Sequence, residues 1–339
     1  MPKQRVFLAG AIVALLATLI TIALGEVVVR LISSRRLIYN IEMVKYAREL
    51  KQRDARGVVS HVHRPLRSAK LMGVEVALNS LGDRGPELVE PKPAGTRRVL
   101  VLGSSITMGW GVPFEAVFTS VAQRRLNGEK RFGAETRFEF VNAGIGNYNT
   151  VFQRELFRDQ YPRVKPDSVV LNYFISDVQP RTMGRDNPAL KHSYLAAWSF
   201  DRFSQWQFAR QGKNLFTFYA DLYAADSEPW RVTQEKIREM RDACAADHTP
   251  FIVMIVPDIH DLSAGTPYRA LYEKMEGAFR SAGFDVVNTF DAFQQRFGAD
   301  VTKLWIQSDD PHPNATGHAL MADQLVEHLE RANPLQLPR

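Results

Sequence analysis

The sequence predicts an α/β protein, a three-layer α/β/α sandwich on a central, mostly parallel five-stranded sheet, with a transmembrane helix at its N-terminus. Two observations carry this expectation. Apolar runs of strand length at 98–102, 138–142, 168–173, 251–256 and 284–288 alternate with helical patterns at about 114–127, 151–160, 231–247, 267–282 and 315–331. Runs that are apolar throughout, separated by helices, fit strands buried on both faces of a parallel sheet. The second observation is the uncharged stretch Val6–Gly25, long enough to cross a bilayer.

The N-terminal stretch has no polar face, which argues against a buried helix of a soluble domain. Ala23-Leu24-Gly25 resembles a small-x-small cleavage site, so a signal peptide is the alternative. The apolar run is longer than a typical signal core, which favours an uncleaved anchor. Between Arg30 and Lys70 stand eleven Lys/Arg against Glu42, Glu49 and Asp54, whereas residues 71–339 are mildly acidic. A basic stretch beside a membrane helix suits anionic headgroups, and nothing here points to a nucleic acid partner. The single cysteine, Cys244, excludes an intrachain disulfide without fixing the compartment.

These features divide the chain into a transmembrane anchor (1–27), a juxtamembrane basic helix and lead-in arm (28–96), and an α/β domain (97–335). Turn-forming residues at 79–82 and 91–95 mark the arm, within which Asn79, Gly82 and Arg84 suggest an anchoring turn. An aromatic-rich insertion at 178–225 interrupts the strand–helix rhythm; it either lines a groove for a sugar or acyl chain or packs its rings inward as a capping subdomain. His61 and His63 have the spacing of two ligands on a strand but lack a third, so no metal is implied, and no cofactor is either.

In open parallel sheets, ligands bind beyond the carboxyl ends of the strands. The first strand is followed by Gly103-Ser104-Ser105-Ile106-Thr107-Met108-Gly109, a small-residue turn able to expose one hydroxyl at the top of the sheet. Near the other end stands Asp309-Asp310-Pro311-His312-Pro313-Asn314, with Asn314 as N-cap of the last helix. An Asp three residues before a His can set its tautomer and leave the second ring nitrogen for a nucleophile.

Together the two blocks resemble those of the SGNH (GDSL-type) hydrolase superfamily over residues 97–332. The resemblance implies a flavodoxin-like fold and the catalytic set Ser105, Asp309 and His312. Ser104 stands where the family has Asp. The second family block falls on Asn142–Asn147, so the oxyanion-donor position lands on Asn147 or, one residue back, on Gly146. The third falls on Phe174–Asp177, replacing the oxyanion Asn by Ser176. Tyr148, next to the second block, and His260, just past the fourth strand and so near the expected site, are candidates for substrate contact.

The resemblance further implies acyl-ester chemistry through an acyl-serine, as a hydrolase or an O-acyltransferase. It suggests an acylated cell-surface glycan as partner and a domain outside the cytoplasm. Lys3 and Arg5 precede the span while Arg30, Arg35 and Arg36 follow it, so charge alone does not favour a cytoplasmic N-terminus. Two alternatives stay open: a lipid esterase or thioesterase, and a catalytically weak glycan-binding module.

Overall fold

The computed structural model describes residues 2–129, 132–133, 135–181, 187–210, 212, 214–308 and 310–332. The chain separates into two compact units, one formed by Met1–Arg48 with Arg185–Lys213 and the other by Glu49–Gly184 with Asn214–Arg339. Residues 49–96, expected as a lead-in arm, thus belong to the unit that holds the sheet.

The first unit is helical. Helix α1 (Pro2–Arg35) carries a segment, Val6–Arg35, long and apolar enough to cross a membrane, with its apolar side chains exposed. Helix α2 (Tyr39–Glu49) follows; the chain returns to this unit as α6 (Pro188–His192) and α7 (Tyr194–Arg210). Ile41, Tyr194 and Ala197 form its small core with Val29, Ile38 and Val44 packed around them.

The second unit opens with two antiparallel pairs, β1 (Lys51–Gln52) with β2 (Val62–His63) and β3 (Ser68–Leu71) with β4 (Val74–Ala77). A five-stranded sheet follows: β5 (Thr96–Gly103), β6 (Arg137–Gly144), β7 (Ser168–Phe174), β8 (Phe251–Val256) and β9 (Asp285–Asn288), in the order β6-β5-β7-β8-β9. Every neighbouring pair is parallel. All five expected strands are present, and β8 is buried at all six of its positions, as a strand covered on both faces must be.

The sheet is crossed over by α3 (Ser105–Met108), α4 (Phe118–Glu129), α5 (Thr150–Val164), α8 (Leu215–Leu222), α9 (Glu228–Ala246), α10 (Tyr268–Ser281), α11 (Phe290–Phe297) and α12 (Ala315–Ala332). A short antiparallel hairpin, β10 (Trp305–Gln307) with β11 (Asp310–Pro313), precedes α12. Asn314 caps α12 as expected, its Oδ1 accepting the Thr316 and Gly317 amides.

The aromatic insertion divides by unit. Tyr219 and Tyr223 are buried, and Phe216 packs edge-on against Tyr268. In contrast Trp198, Phe200, Phe203 and Trp206 on α7 are exposed. Inward packing therefore describes the second half of the insertion and, in the first half, Tyr194.

Two glycines let α3 sit directly on the ends of β5 and β6. A Cβ on Gly103 would overlap the Thr107 side chain, and one on Gly144 would overlap the Met108 backbone amide. A backbone atom cannot swing aside as a flexible side chain can. Gly144→Ala is expected to destabilise the fold by about 1–3 kcal/mol, read as a lowered thermal midpoint, while Gly128→Ala, with open space around its Cα, leaves that midpoint nearly unchanged.

Candidate active site

Ser105 is the first residue of α3, immediately after the carboxyl end of β5. The turn that presents it is tied from three sides. Asn142 Nδ2 donates to the Thr107 carbonyl at 2.7 Å, and Asn172 Nδ2 donates to Thr107 Oγ1 at 2.8 Å. The Arg84 guanidinium, 2% exposed, donates to the carbonyls of Met108, Gly109, Val112 and Glu75. The left-handed Gly109 (φ 80°) turns the chain after α3 and leaves carbonyls at the end of that helix short of helical donors. Arg84 supplies the missing donors, which gives the anchoring turn at 79–84 its structural role.

Ser105 Oγ lies 2.9 Å from His312 Nε2. On the far side of the ring, His312 Nδ1 is 2.6 Å from Asp310 Oδ1, which also accepts the His312 amide at 3.1 Å. The second carboxylate oxygen accepts the indole N–H of Trp110 at 2.9 Å, joining the segment after α3 to the β10–β11 hairpin. Asp310 is fully buried. Burial alone raises a carboxyl pKa, but the hydrogen bonds and charge of His312, with the Trp110 indole, outweigh it and hold Asp310 below its ordinary value. Its ionised form then favours the Nδ1–H tautomer, leaving Nε2 able to take a proton from Ser105.

Of the three residues expected for proton relay, Ser105 and His312 are brought together. Asp309 lies outside the described residues, and the carboxylate on the imidazole is that of its neighbour, Asp310. The reason is the hairpin: Asp310 pairs with Gln307 as the first residue of β11, and Asp310 and His312 are alternate residues of one short strand separated by Pro311.

The expected oxyanion loop follows β6. Asn147 adopts φ 70°, the left-handed conformation that a glycine would take without cost and that Asn tolerates better than most residues. The Gly146 carbonyl before it accepts from Lys51 Nζ at 2.8 Å and meets His61 Nε2 at 3.0 Å, while Lys51 also donates to Asn147 Oδ1 at 2.8 Å. In a trans peptide the C=O and the following N–H point opposite ways, so holding the Gly146 oxygen also aims the Asn147 amide. Ser176 lies half-buried in the 3-10 turn Ile175–Val178 after β7. Within that turn Asp177 is buried and accepts from Gln153 Nε2 at 2.8 Å; burial raises its pKa to about 7 against these hydrogen bonds.

Tyr148 is a correction. Expected to meet substrate, it is 1% exposed, donates its hydroxyl to the His61 carbonyl at 2.6 Å and packs edge-on against Phe152. Nor do the two histidines of the His-x-His pair converge on a common ligand position, because His61 meets the Gly146 carbonyl and His63 Nδ1 meets the Gly82 carbonyl at 2.7 Å. His260 follows β8 with its ring half-exposed, Nδ1 held 2.5 Å from the buried Asp258 carboxylate and the ring edge-on to Trp305 of the hairpin.

Lys51 is the site residue that sequence reasoning missed, and Arg84, read as part of an anchoring turn, is given no chemical role by the sequence alone. Both stand among many basic residues of the arm, and no local pattern marks a buried cation.

With this geometry in place, the relationship to known proteins is direct. The profile of the GDSL-like lipase/acylhydrolase family matches residues 101–320, and the chain belongs to that family of ester-cleaving enzymes. Among solved structures it is similar to a G-D-S-L family lipolytic protein from Desulfitobacterium hafniense DCB-2, at 13% identity and TM-score 0.39 over 68% of this chain and 99% of that one. A GDSL-like lipase from Bacteroides thetaiotaomicron VPI-5482 gives 16% identity and TM-score 0.40 over 72% and 93%. An acetyl xylan esterase gives 16% and 0.44 over 67% and 97%. No curated protein matches.

Two predictions follow from this geometry. The His312 Nδ1–H proton should give a low-field NMR resonance that is lost in Asp310→Asn and kept in Asp309→Asn. Burial, reinforced by the Arg181 charge, holds the Lys51 pKa well below the ordinary lysine value. The unfolded chain therefore binds the Lys51 proton more readily at any pH below about 10, which costs the fold stability there. Lys51→Met should accordingly leave the thermal midpoint at pH 7 unchanged or raise it.

Proposed function

We propose that this chain is a serine-dependent acyl-ester hydrolase or O-acyltransferase working through an acyl-serine, with Ser105 as nucleophile, His312 as general base and acid, and Asp310 as the carboxylate that orients the imidazole. The observation that carries the reading is the continuous hydrogen-bonded series from Ser105 Oγ through His312 to Asp310 Oδ1. The Ser105 proton passes to His312 Nε2 as Oγ bonds to the ester carbonyl carbon. The tetrahedral intermediate collapses by breaking the bond to the leaving oxygen, which takes the proton from His312. Water, or a sugar hydroxyl in the transferase case, then gives its proton to His312 and attacks the acyl carbon, and Ser105 leaves with that proton.

The developing oxyanion is assigned to the Asn147 amide, aimed by Lys51 and His61, with the Ser176 hydroxyl as a second donor and Gly146 as part of the same loop. A hydroxyl reaches less far than an amide side chain, so the aim of the Asn147 N–H carries more of the stabilisation. The substrate class proposed is an acylated glycan at the cell surface. The apolar α1 supports membrane attachment, and we place the sheet unit on the extracytoplasmic side.

Hydrolysis of 4-nitrophenyl acetate by the full chain in detergent tests the reading. Ser105→Ala should abolish turnover, and Asp310→Asn should lower kcat by about 10³–10⁴ while Asp309→Asn changes it little. The reverse order of the two Asp variants would return the orienting role to Asp309. Loss of one oxyanion donor costs about 10²–10³ in rate, so Lys51→Met, which only loosens such a donor, should lower kcat by up to roughly 10² with little change in KM.

A further inference from the structure

We propose that helix α7 is a membrane-interface element, its ring-bearing face lying in the headgroup layer of the bilayer that α1 enters; this rests on the reading of α1 as a membrane helix. The argument begins where the apolar run of α1 stops. Glu26 is the first charged residue after that run. Its carboxylate accepts the amides of Tyr194 at 3.0 Å and Leu195 at 2.9 Å and the Ser193 hydroxyl at 2.8 Å, which caps the start of α7. One turn further on, the Arg30 guanidinium donates to the His192 carbonyl and lies over the Tyr194 ring at 4.4 Å. Gly25 abuts Leu195, so closely that an added Cβ would stand 3.0 Å from its methyl. The start of α7 is thus pinned to residues 25–30 of α1, the level at which a spanning α1 passes from hydrocarbon to headgroups.

The composition of α7 suits that depth. Tyr194 and Ala197 turn inward against Ile41. Beyond them Trp198, Phe200, Phe203 and Trp206 are 41%, 56%, 52% and 52% exposed. At about 100° per residue these four rings share one arc of roughly 200°, and Arg202, Arg210 and the polar residues Ser199 and Gln207 fall within it. The Arg210 guanidinium lies over the Trp206 ring at 4.6 Å. A water-facing helix would not gather four exposed rings on one arc, and a face buried by protein would not interleave two arginines. Trp and Phe beside Arg is the chemistry of the interface, where rings rest at the acyl boundary and guanidinium groups meet lipid phosphates.

Tryptophan quenching tests the proposal in the full chain reconstituted into phosphatidylcholine/phosphatidylglycerol vesicles. Lipids brominated near the headgroup end of the acyl chain should quench a share of the emission that is lost in W198F/W206F, and lipids brominated near the chain terminus should not quench that share. These substitutions keep an exposed ring, so the folded state is retained. Vesicle flotation separates the two readings. A chain that floats with the vesicles but shows the same shallow quenching in wild type and variant overturns the α7 proposal and leaves the anchor standing. A chain that fails to float overturns both. A second copy as occupant would instead give dimers on treating F203C with a short bis-maleimide, and that result too would overturn the proposal.

Discussion

Everything at the candidate site depends on a close approach of two backbones that only glycine allows. Because Gly103 and Gly144 carry no Cβ, α3 rests directly on the ends of β5 and β6. The chain then turns within a few residues, so Ser105 points outward while Trp110 reaches back to Asp310. A bulkier residue at either glycine would lift α3 and move the hydroxyl relative to the imidazole. A misplacement of about 1 Å is enough to cost orders of magnitude in rate. Arg84 completes the arrangement by donating to the Met108, Gly109 and Val112 carbonyls of that turn.

The part of the chain ahead of the sheet proves to be more than a connection. Arg84 holds the nucleophile turn, and Lys51 with His61 holds the loop after β6. In the proposed reading, Asn147 and Ser176 serve as the oxyanion donors. The buried cation at Lys51 sits beside one of them, which is where extra rigidity has most effect.

Most of the fold was legible in the sequence. Strands buried on both faces are apolar at every position, and their spacing by helices leaves little freedom in topology. Ser105 and His312 were legible as candidates because each stands in a short block whose neighbours are constrained, by glycine in one case and proline in the other. That Asp310 lies against the imidazole was not legible, since the register of a short hairpin decides it and the neighbouring Asp309 carries the same chemistry. Lys51 and Arg84 were hidden for another reason: whether a basic residue is buried depends on contacts made many positions away. Lys51 and Gly146 are 95 residues apart. Tyr148 was misassigned because proximity in sequence to the oxyanion loop says nothing about which side of the backbone a ring takes.

The separation of Ser105 from His312, 207 residues, has a consequence for the life of the molecule during synthesis. At ribosomal speeds of about 5–20 residues per second, the serine waits roughly 10–40 s before its imidazole partner is made. For that interval the hydroxyl is an ordinary alcohol, inert toward every ester it meets. On the proposed reading, the reactive group is therefore assembled only after the sheet strands between the two residues have been made.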